Sequence, residues 1–451
     1  MTRQPIEIIQ EAGKEYQTGD QTITALQQEN KMPVRIGIIG AGPAGLVTAL
    51  ALESYCISDV EITLLDRNKS AVDYPGVEYG IQKRACLALK RIGVKARALS
   101  GGLGNSRISF FNTRTNKKQR FGISTDPDLT ICVIRQEFLA ALTDLLKQTK
   151  IHRQCSVKSI EASYEKVRVL CDDTQDSNSS YEFDLLIAAD GIGSIVRKDY
   201  FKDENYIHNR GFSCLYMLIE VPEEGSNNLK ALANTGESWI VLGKSTTATF
   251  FPLGKNRFAV GIGFDEAVQA ELWHSAGVHP DIPWAELDVY TKRKIAELLA
   301  ADCPFQDNIL LDAFQWIPDW NSYKIYLWKM RDSDVSKRPY NKHGNVIMIG
   351  DAAHAIMPTI GMGASLAIED AEILGRHISE HIAQKKSGFK STLEKYASIR
   401  VPVWDDLMAR ARTAARLNFV GICHRNRFSI GPQVPGRVFW KVVSKVEELI
   451  A

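Results

Sequence analysis

The feature that most constrains the fold is a glycine-rich turn near the start of the chain. The segment VRIGIIGAGPAGLVTALALESYCISDVEITLLDRN places a short apolar run, residues 34–39, before Gly40, Gly42 and Gly45. An apolar helical stretch follows, and then a second β-rich run that ends at Asp66. This order of strand, glycine turn, helix and strand predicts a β-α-β unit of a Rossmann-like α/β fold.

Each residue of this unit has a physical role if an anionic ligand binds at the start of the helix. Gly40 allows a tight turn, Gly42 lets the backbone approach a pyrophosphate, and Gly45 lets helix and strand pack closely. The helix N-terminus, with Ala44 in its first turn, faces the phosphates. Asp66 lies 21 residues after Gly45, where a carboxylate can accept hydrogen bonds from ribose hydroxyls. The pattern predicts a dinucleotide site and does not separate NAD from FAD.

Polar residues also stand at three further strand ends. Arg135 lies at a strand-to-helix junction, and Asp190-Gly191 ends a buried strand. Gly350-Asp351 ends another apolar run. Because ligands of open α/β sheets bind at the carboxyl ends of the strands, we expect these residues to surround one site.

The segment after Asp351 carries a second pair of glycines, Gly361 and Gly363, just before a predicted helix. Glycine near a helix start costs stability unless the backbone must approach something. We therefore expect this turn to bring backbone N–H groups to a ligand. His354 is interpreted as a buried, hydrogen-bonded structural imidazole and not as a catalytic base. Arg197 is interpreted as a surface ion-pair partner.

The middle of the chain changes from β-α alternation to short strands. The runs FSCLYMLIEV, SWIVLGK, TATFFPLGKNRFAVGIGF and YKIYLW predict a mostly antiparallel sheet with a hairpin of residues 248–252 and 258–264. One face of this sheet is expected to form the roof of a mainly apolar pocket. Candidate roof residues are Met217, Trp239, Phe250 and Phe264, with ordinary core packing as the alternative. Residues 282–299 are predicted to be helical, with Pro283 in the first turn.

Composition excludes several function classes. The net charge of +2 gives no reason to expect nucleic acid as a partner. The eight cysteines have no metal or redox spacing, so we predict no metal site and reduced thiols in an intracellular protein. The first 32 residues lack the apolar run of a signal peptide, and no run approaches the length of a membrane span. These features predict a cytoplasmic protein with a flexible N-terminal extension.

Taken together, the spaced motifs resemble those of the FAD-dependent aromatic hydroxylase superfamily, with the p-hydroxybenzoate hydroxylase fold. Within this superfamily, the chain most resembles the zeaxanthin-epoxidase-like and tetracycline-inactivating flavin monooxygenases. The resemblance implies an α/β fold: a Rossmann-like FAD-binding domain, an inserted mostly antiparallel β substrate domain, and C-terminal helices. We expect the extension at 1–32, FAD-binding parts at 33–205 and 331–386, the substrate domain at 206–330 and helices at 387–451.

The resemblance also implies which residues bind FAD. The implied cofactor-binding residues are Gly40, Gly42, Ala44, Gly45, Asp66, Arg67, Arg135, Asp190, Gly191, Gly350, Asp351, Pro358, Gly361, Met362, Gly363, Ala364 and Ser365. Two departures from the family pattern stand out. The family usually has Glu where Asp66 stands, and it often reads Gln, Gly, any residue, Asn where this chain has residues 362–365.

By the same resemblance, NAD(P)H is a transient reductant of FAD and O₂ is the co-substrate. A flavin hydroperoxide would hydroxylate or epoxidise a small aromatic, polyketide, alkaloid or terpenoid molecule of secondary metabolism. The chemistry belongs to the cofactor, so no catalytic side chain is assigned. The sequence has no second glycine fingerprint, which argues against flavoproteins with a separate nicotinamide domain.

Three alternatives remain open in the sequence. One is a flavin oxidoreductase that acts on a lipid or secondary metabolite without inserting oxygen. Another is a flavin-dependent halogenase, although Trp316, Ile317 and Pro318 match its motif at the wrong spacing. The third is a non-catalytic FAD-binding protein.

The C-terminal region is predicted to be helical, with Pro402 kinking or ending its first long helix. Residues 410–445 are basic and partly apolar. Docking of this segment on the protein's own domains is preferred over a peripheral membrane contact. The sequence indicates no oligomeric state.

Overall fold

The computed structural model describes residues 32–56, 59–70, 76–97, 102–122, 126, 128–173, 179–306, 308–317, 319–322 and 324–415. The predictions for the N-terminal extension, for Pro318 and for the chain after residue 415 lie outside these residues. No helix of the described residues is both long enough and apolar enough to cross a membrane.

The strands of the described chain are β1 (Val34–Ile39), β2 (Val60–Asp66), β3 (Glu78–Ile81), β4 (Leu103–Gly104), β5 (Arg107–Asn112), β6 (Lys117–Gly122), β7 (Ile131–Ile134), β8 (Lys150–Arg153), β9 (Cys155–Ala162), β10 (Val167–Asp173), β11 (Ser179–Phe183), β12 (Leu185–Ala188), β13 (Ile207–Glu220), β14 (Glu237–Leu242), β15 (Thr247–Gly254), β16 (Arg257–Asp265), β17 (Ile325–Ser333) and β18 (Val346–Met348).

The α-helices are α1 (Pro43–Tyr55), α2 (Lys83–Arg91), α3 (Arg135–Leu145), α4 (Asn227–Asn234), α5 (Glu266–Ala276), α6 (Val289–Asp302), α7 (Ile309–Phe314), α8 (Asp351–His354), α9 (Gly363–Ala383) and α10 (Lys390–Ala415). A single π-helical turn spans Val196–Tyr200, and 3₁₀ turns span Trp284–Glu286 and Pro358–Ile360.

A five-stranded sheet with the order β18, β12, β1, β2, β8 forms the base of the fold. All its strand pairs are parallel, which places the carboxyl ends of β1, β12 and β18 side by side. Helices α1 and α9 pack closely: a Cβ added at Gly375 of α9 would lie 2.6 Å from the Cβ of Ala51 in α1. The predicted Rossmann-like α/β architecture is confirmed.

A seven-stranded sheet with the order β17, β13, β16, β15, β14, β5, β6 stands beside this base. Its pairs are antiparallel except for β5 with β14, so the predicted mostly antiparallel sheet is confirmed. The predicted β15–β16 hairpin is present, and Lys255 and Asn256 in its turn have left-handed φ angles of 53° and 58°. Two smaller antiparallel sheets have the orders β3, β7, β4 and β11, β10, β9.

The seven-stranded sheet is apolar on both faces. Helices α4, α5, α6 and α7 cover one face and share a single hydrophobic core with it. The opposite face carries Leu218, Leu253 and Ala259, which pack with Cys132 and Ile134 of β7. The face that carries Leu218, Leu253 and Ala259 therefore lies toward the Rossmann-like part of the fold, and the helix-covered face lies away from it.

Two helix predictions require correction. The helix predicted over 282–299 is broken: after the 3₁₀ turn, α6 begins at Val289, because the Asp288 carboxylate accepts from the Thr291 backbone N–H at 2.9 Å and caps it. Of the two effects predicted for Pro402, a kink or a helix end, the helix end is wrong, since α10 continues through it. Pro402 is exposed, while Arg400 and Trp404 on either side are buried and anchor the helix.

Candidate functional site

The glycine turn after β1 is required by the fold itself at two of its three glycines. Gly40 has a φ of 101°, and a Cβ there would lie 2.5 Å from the carbonyl oxygen of Ala189. A Cβ at Gly45 would lie 1.9 Å from the carbonyl oxygen of Gly40. Both positions exclude a side chain because backbone atoms occupy the space.

Gly42 differs from its neighbours, because no heavy atom lies within 4 Å of a Cβ built on it. It is the N-cap of α1 and makes no side-chain cap to the first N–H groups of that helix. A second turn repeats this arrangement: Gly361 has equally open space, and Met362 begins α9 without a side-chain cap. Two long helices thus present unsatisfied N–H groups next to open space, as an anionic or polar ligand requires.

Short backbone contacts bring the separate motifs together. Gly40 lies against Asp190, with the Asp190 Cα 3.1 Å from the added Cβ. At Gly350, which has a φ of 57°, an added Cβ would lie 3.1 Å from the Cβ of Ala44 and 3.4 Å from that of Ala367. The strand ends of β1, β12 and β18 therefore meet at the starts of α1 and α9.

Asp66, at the end of β2, holds the glycine turn in place. Its Oδ2 accepts from the Ala41 backbone N–H at 2.5 Å, and its Oδ1 accepts from the Asn68 N–H at 2.7 Å. The side chain is 3% exposed, whereas the neighbouring Arg67 is exposed. The shorter acid thus reaches the turn directly.

Asp190 is a buried acceptor that is only partly satisfied. Its Oδ2 accepts from the Ile195 N–H at 2.9 Å, but Oδ1 has no hydrogen-bond partner in the described part of the chain. Burial raises the pKa of this carboxyl, and hydrogen bonds from Ser194 and the following backbone oppose the shift. Gly191 beside it, with a φ of 79°, has no neighbour within 4 Å of an added Cβ.

Arg135 begins α3 and points into the same region. Its Nε donates to the Tyr79 hydroxyl at 2.5 Å, and its guanidinium lies 5.5 Å from the centre of that ring. Gly76 makes room for it, since a Cβ there would lie 2.6 Å from the Arg135 Cδ. Burial raises the pKa of Asp351, while the nearby His354 and Arg135 oppose this shift. Asp351 is thus surrounded by protein groups but keeps access to solvent.

His354 belongs to a buried network on the far side of α8. Its Nε2 lies 2.5 Å from Oδ2 of Asp370, and its ring packs on Trp404 with centroids 4.4 Å apart. The Asp370 Oδ1 accepts from the Arg400 Nε at 2.7 Å and from the Trp404 indole N–H at 3.0 Å. The predicted buried, hydrogen-bonded position of His354 is confirmed.

Arg197 is buried, so its predicted surface position is wrong, but the predicted ion pair is present, with Nε 2.9 Å from Asp203 Oδ2. Its exposed fraction is 1%, and it donates to the carbonyl oxygens of Ala353 at 3.0 Å and Asp334 at 2.7 Å. Its guanidinium also lies 4.2 Å from the centre of the Tyr206 ring. Arg197 therefore ties the β12 end to the segment that carries Asp351.

The turn before α9 contains the residues that depart from the family pattern. Ser365 is buried; its hydroxyl donates to the Gly80 carbonyl at 3.1 Å and accepts from the Gln82 N–H at 2.9 Å. Met362 is 5% exposed and packs in the main core. Both side chains thus lie on the buried side of the turn and stabilise it there. Its open side carries Pro358, Gly361, Gly363 and Ala364, all at least partly exposed.

The four predicted roof residues lie on the helix-covered face of the seven-stranded sheet. Met217, Trp239, Phe250 and Phe264 are at most 7% exposed and all belong to the core shared with α4–α7. Side chains alternate between faces along a strand, so their immediate neighbours point toward the FAD-type motifs instead. The sequence could not choose between the faces, because both are apolar.

Sequence reasoning missed the residues that do face this way. Tyr216 and Tyr326 pair across β13 and β17, with ring centroids 5.6 Å apart, and Phe251 lies on the same face. Glu78 of β3 stands opposite them, because its strand partner Ile134 packs against the same sheet. These four residues keep partial exposure, so they line a cleft. A Glu inside a short, otherwise uncharged strand was the available signal.

The geometry agrees with comparisons to known proteins. The family model described as FAD binding domain matches residues 33–272 and 291–411. Salicylate hydroxylase of Pseudomonas putida is 25% identical over 83% of this chain and 84% of its own length. Kynurenine 3-monooxygenase of Stenotrophomonas maltophilia is 25% identical over 76% of this chain and 72% of its own. The Klebsiella pneumoniae HpxO structure with FAD and uric acid superposes with a TM-score of 0.64 at 19% identity, covering 92% of this chain and 93% of that one.

These matches define the class of the protein as an FAD-dependent monooxygenase. The chain belongs to the FAD binding domain family, and FAD is its cofactor. The residues present fit that group, because Gly42 and Gly361 leave room for backbone approach and Asp190 Oδ1 offers an unused acceptor.

Proposed function

We propose that this protein uses NAD(P)H and O₂ to hydroxylate or epoxidise a small organic molecule with an aromatic or otherwise unsaturated core. The observation that carries the proposal is the convergence of the glycine turn, Asp190, Arg135 and Asp351 at one sheet edge. An aromatic cleft faces this edge from the seven-stranded sheet. Residues 206–330 are proposed to supply most of that cleft, and residues 33–205 and 331–386 to bind FAD.

We propose individual roles for the residues that would hold FAD. The Gly42 backbone and the start of α1 would bind the pyrophosphate, with Asp66 and Arg67 next to the adenosine ribose. Arg135 and Asp351 would bind the central part of the cofactor, since they lie close together and carry opposite charges. Backbone N–H groups after Gly361 would meet the flavin ring.

When bound, FAD supplies the redox chemistry that activates oxygen. The chain's own contribution is to orient the substrate and to exclude water. The tyrosine pair and Phe251 give the cleft apolar walls, and Arg197 and Ser365 fix the segments on which the cofactor-binding groups lie. A dry, rigid site favours productive transfer of oxygen over its release as peroxide.

The decisive experiment is an assay with labelled oxygen. The purified protein is loaded with FAD and given NADPH or NADH, ¹⁸O₂ and a panel of aromatic and terpenoid compounds. We expect at least one compound to stimulate NAD(P)H oxidation and to gain one labelled oxygen atom by mass spectrometry. Full conversion of a compound without label in the product would refute oxygen insertion and favour the oxidoreductase alternative.

The proposed cofactor contact is tested by two alanine substitutions three residues apart. Gly42→Ala is expected to keep apo-protein stability within about 1 kcal/mol of wild type, because its φ of −81° suits alanine and the space is open. Its FAD affinity should fall at least about tenfold. Gly45→Ala should damage folding and FAD binding together. Wild-type FAD affinity in Gly42→Ala, measured by flavin fluorescence titration, would contradict this cofactor position.

A further inference from the structure

The Glu78 carboxyl has no structural task in the fold. Its own backbone N–H donates to it, but no hydrogen bond or ion pair joins it to another side chain of the described residues. It is half-buried in β3, between the conformationally important Gly76 and the turn to α2. Burying a carboxylate without a partner is costly, so its presence in this strand needs a reason outside the stability of the fold.

The strand register fixes the direction of this side chain. Glu78 pairs with Ile134, and Gly80 pairs with Cys132, so these four residues share one face of the small sheet. Ile134 and Cys132 pack against the seven-stranded sheet. Glu78 therefore points into the cleft, and Tyr79 points to the opposite side, toward Phe138.

The same face leads to the proposed flavin position. A Cβ at Gly80 would lie 3.9 Å from the carbonyl oxygen of Gly361, in the turn that begins α9. Glu78 is two residues from Gly80 on one strand face, a separation of about 7 Å. The carboxyl is thus within reach of a small molecule that also touches the cofactor turn.

Aromatic side chains face Glu78 from across the cleft. Tyr216 and Tyr326 stack with an interplanar angle of 20°, and Trp328 meets Tyr326 edge-on with centroids 6.3 Å apart. Glu78 is close enough to both tyrosines to act electrostatically on their hydroxyls. The stacked tyrosine rings and the Glu78 carboxyl, a hydrogen-bond acceptor, therefore face the same part of the cleft.

We propose that Glu78 is the specificity-determining residue of the substrate cleft, and that it accepts a hydrogen bond from a hydroxyl or N–H group on a planar, unsaturated substrate held against Tyr216 and Tyr326. This inference rests on the proposed function and names the substrate class. An acceptor in an apolar cleft selects strongly, because an analogue without the donor leaves the buried carboxyl unpaired.

The test uses pairs of probes that differ only in the donor: 2-naphthol with 2-methoxynaphthalene, and indole with N-methylindole. Binding is titrated on the FAD-loaded enzyme without NAD(P)H, followed by the flavin absorbance change. Wild type should bind at least one donor probe about tenfold tighter than its methylated partner. Glu78→Leu should abolish this preference, and Glu78→Gln should reduce it at least about threefold.

Glu271→Leu on the exposed side of α5 serves as the matched control and should keep the wild-type preference. Equal affinity for both members of every pair, or an unchanged preference in Glu78→Gln, overturns the inference. The titration is repeated on FAD-free protein by tryptophan fluorescence. Failure to bind FAD would count against the proposed function, while a preference that survives Glu78→Leu counts only against the role of Glu78.

Discussion

Replacing Asp370 with Asn should destabilise the protein by about 3 kcal/mol. Asp370 is fully buried and receives hydrogen bonds from Arg400, Trp404 and His354. The substitution removes the charge that compensates Arg400, which is itself 1% exposed. Breaking a buried pair by removing one partner costs about 3–5 kcal/mol. We expect the lower end, because Glu369 still lies 3.4 Å from Arg400.

The assay is thermal unfolding of the FAD-free protein at fixed concentration and pH 7.5. For a folded unit of about 400 residues the unfolding entropy is about 0.8 kcal/mol/K, so about 3 kcal/mol lowers Tm by about 4 °C. Asp405→Asn, on the exposed side of the neighbouring helix α10, is the control and should change Tm by less than about 1 °C. Asp370→Asn combined with Arg400→Met should recover part of the loss, because no uncompensated cation remains.

Acid should weaken the same network in wild type. Burial by itself would raise the pKa of Asp370, but Arg400 and His354 outweigh burial and hold the pKa below its ordinary value. The stabilisation is therefore present above about pH 4 and is lost as pH falls further. An Asp370→Asn protein with the wild-type Tm at pH 7.5 would refute the reasoning.

Three further outcomes are expected. Burial raises the pKa of Glu78 to about 7. The ionised carboxyl therefore costs no stability below about pH 4, and its cost grows as pH rises and is complete above about pH 7. Glu78→Gln should stabilise the FAD-free protein by about 1–2 kcal/mol at pH 8 and hardly at pH 4.5, as measured by Tm. Arg197→Lys should cost about 2–3 kcal/mol in urea unfolding, because an ammonium cannot serve the carbonyls of Ala353 and Asp334 together. Ser365→Ala leaves the Gln82 N–H without its acceptor and should cost about 1–2 kcal/mol in the same assay, with FAD affinity falling as the turn loosens.

Local signals carried the correct predictions. Gly40 and Gly45 could be predicted from the sequence because a side chain at either position would clash with backbone atoms of the turn and its neighbours. Such positions require glycine regardless of contacts made elsewhere in the chain. His354 could be assigned to the interior from its small neighbours. The β15–β16 hairpin followed from its own turn residues, where Lys255 and Asn256 adopt the left-handed conformation.

The failed predictions depended on contacts far along the chain. The burial of Arg197 is fixed by carbonyl groups more than 100 residues away. Pro402 was expected to kink or end a helix, but α10 does not end there, and Arg400 and Trp404 on either side of it hydrogen-bond to Asp370 of α9. Phe250 and its three companion roof candidates have the ordinary core packing that was the alternative, because helices α4–α7 cover the face of the sheet on which they lie.

The parallel pairing of β5 with β14 limits how this protein can be recombined with its relatives. Residue 237 pairs with residue 107, and residues 107–122 form the last two strands, β5 and β6, at one edge of the seven-stranded sheet. A chimera that exchanges only residues 206–330 would carry β14 into a foreign host whose β5 has a different surface. The Glu237 carboxylate accepts hydrogen bonds from Arg120 and Ser109 of those strands, and in such a chimera it would be buried without these partners. Exchange of substrate preference between such enzymes therefore requires both segments to travel as one cassette.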